Sequence, residues 1–279
     1  MKKIIVLYHK NCFDGFGGAW AAWKKFGSQA EYIGMKHGNT LPSAVLKNKI
    51  IYFIDFVFPL ALMKKIIKKA EKVVIIDHHI TAKENVELVD DYLFDINHSG
   101  AVLAWKYFHP KKAIPRLLLH IEDLDIWKWK LPATAEIISF LSLYDFDFSV
   151  WSRMVEKIGK NEERKKIVRD GKIMIKYRDS IVKKIVKEAE EIHFEGRNIF
   201  AVNSSDRTLV SYVGNELAKK HPPFSVSWFS RSGKLFVSLR SVKGFDVSKI
   251  AKKYGGGGHK AAAGFCLDLK ANFPWKITK

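Results

Sequence analysis

Cysteine is nearly missing from this chain: among 279 residues only Cys12 and Cys266 occur, far apart in sequence. A disulfide framework is therefore not expected to hold the fold, and a reducing, cytoplasmic setting fits best. Long apolar runs are missing too. None approaches the roughly 18 residues needed to cross a bilayer, so no membrane partner is expected. The short apolar run after Lys2 and Lys3 leads straight into polar and glycine residues without a small-residue cleavage site. It reads as a first strand, not as a signal peptide. Acidic side chains are the third shortage, 29 against 48 Lys and Arg, for a formal charge of +19. The excess grows along the chain: 20 basic against 16 acidic in residues 1–150, 13 against 8 in 151–192, and 15 against 5 in 193–279. Such a field concentrates polyanions near the basic end. Lysine enrichment also serves solubility and surface ion pairs, so charge alone does not settle the partner.

What the chain does have is core material, 47% hydrophobic residues, enough for one large domain or two smaller ones. Short β-rich runs alternate with helical patterns over the first 130 residues, which predicts βαβ units and a mainly parallel sheet. The expected strands are Ile4–Tyr8, Glu31–Met35, Ile51–Ile54 and Val73–Ile76. The last two are apolar throughout, as required when helices cover both sheet faces. Pro59 to Lys69 reads as an amphipathic helix, opened by proline and closed by lysines. Helical patterns dominate from Gly100 to about Lys187, and the charged, proline-free segment Asn161–Ile192 resembles a connecting helix. After Gly196, strand-like runs at Ile199–Val202, Phe224–Phe229 and Leu235–Leu239, with a helix pattern at Leu209–Lys220, predict a second α/β domain. No internal repeat is present, and Gly255–Gly258 is the one low-complexity patch.

Metal-ligand residue types sit where these strands end. The first strand runs into His9, Asn11, Cys12 and Asp14, the third ends at Asp55, and the fourth ends at Asp77, His78 and His79. In open α/β sheets, sites form beyond the carboxyl ends of strands, so these groups can converge. Crowded carboxylates are costly unless cations neutralise them. Oxygen and imidazole donors together suit manganese, iron or zinc, and two such ions about 4 Å apart clamp an in-line displacement at phosphorus. Taken singly, each residue is equally at home in a capped loop or a solvated turn. The four glycines can be a plain loop or an anion nest. Arg240, ending a strand in the basic domain, can fork a phosphate or form a surface ion pair. Trp127, Trp129, Trp228 and Phe229 can stack on bases, although such aromatics more often fill a core.

The order of these motifs resembles the DHH phosphoesterase family, whose eponymous triplet stands here as Asp77-His78-His79. The likeness covers nearly the whole chain. The first family motif is similar to His9 through Gly15, the second to Asp55, and the third to Ile76 through His79. The fourth is similar to Glu122-Asp123-Leu124-Asp125. Val237 through Ser241 and Gly255 through His259 look like the signature of the family's C-terminal substrate-binding domain. The resemblance implies an N-terminal parallel-sheet DHH domain (1–150), a helical connector (151–192) and a smaller C-terminal α/β domain (193–279), with an active-site cleft between them. It implies two divalent cations, manganese foremost with magnesium, cobalt or zinc as alternatives, held by His9, Cys12, Asp14, Asp55, His78 and Asp123, with Asp55 bridging. Asp77, His78 and His79 form the catalytic triplet, Asp77 orienting an imidazole and His79 facing the phosphate. Asp123 is preferred to Asp125 by motif position. Arg240, Gly256, Gly257, Gly258 and His259, with His79, would bind substrate. Cys12 departs from the pattern, because many relatives carry an aspartate there; a thiolate favours softer metals, and Asn11 is an alternative neutral ligand.

The expected activity is metal-dependent hydrolysis of short oligonucleotides or single-stranded nucleic acid. Linear dinucleotides, a nucleotide bisphosphate or polyphosphate present the same phosphorus chemistry, and a binding module that has lost catalysis is a third reading. Oligomeric state is not written in the sequence.

Overall fold

The computed structural model describes residues 2–36, 46–206, 208–269 and 273–278. Contacts divide the chain into two compact units, Met1–Met174 and Ile175–Lys279. The division falls within one continuous helix, Asn161–Lys187.

The first unit is built on five parallel strands, β1 (Ile4–His9), β2 (Ala30–Met35), β3 (Ile50–Ile54), β4 (Lys72–Asp77) and β5 (Asp91–Phe94), in the order β2-β1-β3-β4-β5. Apolar residues on both sides of each strand force cover on both faces. On one face Val6, Ile54, Val74 and Ile76 pack with Phe16, Trp20 and Ala104 of the helices Phe13–Phe26 and Gly100–Phe108. On the other, Ile5, Leu7, Ile51, Phe53 and Ile75 pack with Met63 and Ile66 of the helix Leu60–Ile67. The strand order reverses direction between β1 and β3. Their carboxyl ends therefore border the crevice where doubly wound sheets bind ligands.

Two sequence expectations shift. The four anticipated strands are joined by a fifth, β5, a half-buried strand of four residues at the sheet edge, too short to announce a period. The connecting helix expected through Ile192 stops at Lys187, because Ile192 and Phe194 are buried in alternation with exposed neighbours, the two-residue period of a strand.

That strand, β6 (Glu190–Phe194), belongs to the second unit. With β7 (Arg197–Asn203), β8 (Phe224–Arg231), β9 (Lys234–Ser241), β10 (Gly257–His259), β11 (Ala262–Asp268) and β12 (Lys276–Ile277) it forms a sheet ordered β10-β11-β9-β8-β7-β6-β12. Among the described residues, only the β7–β8 pair of this sheet is parallel. One apolar cluster joins Val226, Val237, Leu239 and Phe265 to Ile250 of the helix Val247–Lys253. Another joins Val202 to Val213 and Leu217 of the helix Val210–Lys220 and to Val182 and Val186 of the long helix. Among the described residues, no helix is long and apolar enough to cross a membrane.

Candidate metal centre

The first unit gathers its metal-ligand side chains beyond β1, β3 and β4. β1 delivers His9, and the chain turns at once into the helix Phe13–Phe26 with Cys12 at its N-cap position. Gly15 permits that tight turn: a Cβ there would lie 2.3 Å from the His9 carbonyl oxygen. Asp14 is thereby carried under the amino end of the helix Gly100–Phe108. Its carboxylate accepts hydrogen bonds from the backbone N–H groups of Gly100 (2.7 Å) and Ala101 (2.9 Å). A helix amino end attracts negative charge, so the site fixes this carboxylate before any cation arrives.

Asp55 follows β3 with a left-handed backbone, φ 54°. Non-glycine residues hold that conformation at a cost, and it is common where a side chain must be re-aimed. Asp55 Oδ1 lies 3.3 Å from His78 Nε2 and 3.5 Å from His79 Nδ1, while Oδ2 lies 3.5 Å from His9 Nδ1. His78 Nε2 is also 3.6 Å from Asp14 and 3.5 Å from Asp125. Asp77 plays a different part. Its Oδ1 accepts from the backbone N–H groups of His78 (2.7 Å) and His79 (2.8 Å) and lies 2.9 Å from His79 Nδ1. One buried carboxylate thus fixes both the turn after β4 and the His79 ring.

Three overlapping ligand groups result: His9–Cys12–Asp55, Asp55–His78–His79, and Asp14–His78–Asp125, the donor atoms of each lying within 4.8 Å of one another. Asp55 and His78 each serve two groups. Asp55 Oδ1 and His78 Nε2 are buried 3.3 Å apart, in ion-pair reach of each other, yet neither completes a well-formed hydrogen bond. Buried polar atoms are almost always satisfied, and this pair faces inward among donors of the kind that hold borderline divalent cations. The residues fit a metal centre.

The electrostatics agree. Burial, then Asp55 and Asp125, push the Asp14 carboxyl well above the carboxylate range, against a smaller pull from His78. Burial and Asp55 likewise raise Asp125 to about 6. Burial works against a charged His78, but Asp55, Asp14 and Asp125 hold its imidazole up at about 9. Asp55 itself is buried, yet the imidazoles of His78 and His9 beside it draw it below the usual value. Burial, Asp55 and Asp14 lift the Cys12 thiol to about 12. Without cations, protons carry the positive charge this cluster requires; a cation supplies it by displacing them.

One expected ligand does not reach the cluster. Asp123 lies in the helix Arg116–Asp125, and its carboxylate accepts from the backbone N–H groups of Lys130 (2.7 Å) and Leu131 (3.2 Å) and from the Thr134 hydroxyl (2.6 Å). The aspartate that joins a candidate ligand group is Asp125, the last residue of that helix, its side chain 26% exposed. Two residues on a helix differ by about 200° of rotation, so only one of the pair can face the centre. Motif position favours Asp123, but the helix rotation turns Asp125 toward the cluster.

In the second unit, Arg240, Ser211, Ser238 and Gly256 line a cavity of about 520 Å³ together with Phe229 and Phe236. Arg240 donates to the Leu239 carbonyl (2.8 Å) and to Ser211 Oγ (2.8 Å). In the glycine run, the Gly255 and Gly256 N–H groups are already bonded to the carbonyls of Lys252 and Ala251, which leaves them no part in an anion nest. A Cβ on Gly256 would lie 2.1 Å from the Gly264 carbonyl oxygen, so glycine is demanded there by the neighbouring strand. Gly257, Gly258 and His259 form the exposed edge strand β10. Of the aromatic candidates, Trp228 packs with Phe273 and Trp275, and Phe229 stacks on Phe236 at 4.9 Å. Trp127 and Trp129 stay exposed.

An open, parallel α/β sheet with carboxylates and imidazoles crowded at its switch point makes a candidate metal centre, and comparison with known proteins supplies the family. The DHHA1 domain profile matches residues 199–274. The chain is 32% identical to uncharacterized protein R106 of Acanthamoeba polyphaga mimivirus, over 98% of this chain and 69% of that one. It is 24% identical to oligoribonuclease NrnB of Bacillus subtilis, over 92% and 71%. Among solved structures, the DHH domain of PF0399, a member of the s1p family of ribosomal proteins, superposes with a TM-score of 0.61 at 14% identity, covering 94% of this chain and 82% of that one. The pGpG-specific phosphodiesterase PggH of Vibrio cholerae gives 0.54 at 13%, covering 96% and 94%. RecJ of Thermus thermophilus in complex with Mn2+ gives 0.52 at 15%, covering 96% of this chain and half of RecJ. The chain belongs to the DHH family of phosphoesterases and carries a DHHA1 domain.

Proposed function

We propose that this chain hydrolyses phosphodiester bonds of short oligonucleotides or single-stranded nucleic acid, using two divalent cations, manganese foremost. The observation that carries the reading is the buried pair Asp55 Oδ1 and His78 Nε2, neither satisfied by a well-formed hydrogen bond, where three ligand groups overlap. His9, Cys12, Asp14, Asp55, His78 and Asp125 would hold the ions, Asp55 belonging to two of the ligand groups, with Asp125 taking the place first given to Asp123. The ions would neutralise phosphate charge and make a water nucleophilic near neutral pH. The similarity to a protein named oligoribonuclease NrnB and to the Mn2+ complex of RecJ supports the choice of substrate and metal.

The chain's own groups do the positioning. Asp77 holds the ring of His79, raises its basicity through their hydrogen bond, and leaves the side chain 46% exposed to present a proton to phosphate oxygen. Asp14, locked by two backbone N–H groups, and Asp55, set by its backbone, hold their geometry before substrate binds, which lowers the cost of organising the transition state. Arg240 would grip a substrate phosphate with its planar fork, with His259 and the exposed Gly257–Gly258 strand beside it. Gly256, whose N–H is committed, would serve by close packing alone.

The test is a manganese-supplemented panel of short RNA, short DNA, a linear dinucleotide, a nucleotide bisphosphate and polyphosphate. Short oligonucleotides are expected to turn over best, and Asp55→Ala to abolish turnover in a folded protein. Preference for polyphosphate or the bisphosphate, or hydrolysis by Asp55→Ala equal to the parent, contradicts the proposal.

A further inference from the structure

Immediately after the Asp125 ligand position the backbone does something costly. Trp127 (φ 57°) and Trp129 (φ 49°) both occupy the left-handed region, which bulky residues avoid. Nothing apolar is gained in return: the two side chains are 70% and 42% exposed, and their rings meet each other edge to face at 5.1 Å. The turn is nonetheless tightly specified. Asp123 accepts hydrogen bonds from its far side at Lys130, Leu131 and Thr134, its carbonyl accepts from Lys128 and Trp129, and Lys128 Nζ reaches Glu122 (3.0 Å) and the Asn97 carbonyl (3.1 Å). Asp123, displaced from the metal centre, is the pin of this loop. A strained, well-pinned turn that exposes two indoles is the arrangement expected of a binding surface rather than of a core.

We infer that Trp127 and Trp129 form a stacking platform that receives a nucleobase beside the scissile phosphate, which makes the substrate a base-bearing nucleic acid and not a bare polyphosphate. This rests on the phosphodiesterase reading above. Trp127 follows Asp125 by two residues, so its Cα lies within about 7 Å of that ligand's Cα, the distance scale of a neighbouring nucleotide. Indole faces take any base, because every base has a π-face. The tryptophans alternate with Lys128 and Lys130, and Lys130 is exposed, so cationic groups accompany the aromatic ones where a phosphate backbone would run. The platform would act by positioning, with recognition that is base-dependent but sequence-tolerant.

The test compares a fluorescently labelled RNA trinucleotide with its fully abasic counterpart, by binding anisotropy and by KM and kcat with manganese. Trp127→Ala and Trp129→Ala should each weaken RNA binding on the order of tenfold and raise KM accordingly, while leaving the abasic oligonucleotide unaffected. Trp127→Phe should recover most of the loss. Trp127→Gly relieves the left-handed strain, so it should melt at or above the parent's temperature and still lose the base-dependent affinity. Equal loss on RNA and abasic chains, or no loss on either, overturns the inference. Absence of hydrolysis by the parent on both substrates contradicts the phosphodiesterase reading, and the binding comparison still decides the platform separately.

Discussion

Gly100→Ala should separate the metal centre from the fold. Gly100 opens the helix Gly100–Phe108, and a Cβ there would stand 2.7 Å from Asp55 Cβ, 3.0 Å from Asp14 Oδ2 and 3.4 Å from Asp55 Cα. Ordinary contact begins near 3.4 Å, so Asp55 must retreat by about 0.7 Å from the position it now holds. Metal ligands tolerate only about 0.2 Å before coordination suffers, and misplacing a reacting group by about 1 Å costs on the order of 100-fold in rate. Stability is buffered: overpacking costs about 1–3 kcal/mol, and alanine returns up to about 1 kcal/mol over glycine in a helix. Calorimetric titration with Mn2+ should therefore show markedly weakened binding, and turnover should fall about 100-fold, in a protein with parent-like circular dichroism. Gly159→Ala, where a Cβ meets nothing within 4 Å, is the matched control and should change neither. Parent-level Mn2+ affinity and turnover in Gly100→Ala would show that Asp55 and Asp14 need not sit where the structure places them.

Two further substitutions divide the aspartates of the fourth motif. Asp123→Ala leaves the Lys130 and Leu131 N–H groups without their acceptor, while the Thr134 hydroxyl keeps the Leu131 carbonyl; it should cost about 1–3 kcal/mol of stability in urea unfolding, with Mn2+ stoichiometry retained. Asp125→Ala should do the reverse, keeping stability and losing metal, and the opposite assignment of effects would restore Asp123 as the ligand. His120 supplies an acid-sensitivity prediction. Burial, helped by Arg116, lowers its pKa from 6.5 to about 4, and its Nδ1 lies 2.9 Å from Thr134 Oγ1. The unfolded chain takes up this proton first, so stability is full above pH 6.5 and is lost as pH falls toward 4, by about 3 kcal/mol over the whole span. His120→Gln should flatten that slope in chelator-treated protein, and an unchanged slope would place the sensitivity elsewhere.

The legible parts of the site were those that a strand aims. Ile51 through Ile54 and Val73 through Ile76 are apolar on both faces, so they can only be central strands, and the polar residues after them can only lie at the sheet's carboxyl edge. Asp55, Asp77, His78 and His79 follow from that. Motif position favoured Asp123 over Asp125, but both lie in the last turn of one helix, and the outcome depends on where the next loop returns its N–H groups. The strain at Asp55, Trp127 and Trp129 was equally invisible, since no residue in those stretches advertises a left-handed backbone. In the glycine run, composition suggested an anion nest across Gly255–Gly258. At Gly255 and Gly256 local capping decided otherwise, because their N–H groups close the end of the preceding helix at the Lys252 and Ala251 carbonyls.

Manganese titration of metal-free protein in weak buffer at pH 7, with heat and proton release recorded together, tests the central claim most directly. His78, held up at about 9, carries a proton at that pH, and Asp14 is also shifted toward its protonated form. Filling the centre should therefore release at least one proton per chain, and Asp55→Asn should diminish both binding and release. Saturation without proton release, or no binding up to millimolar manganese, would contradict a metal centre at these residues.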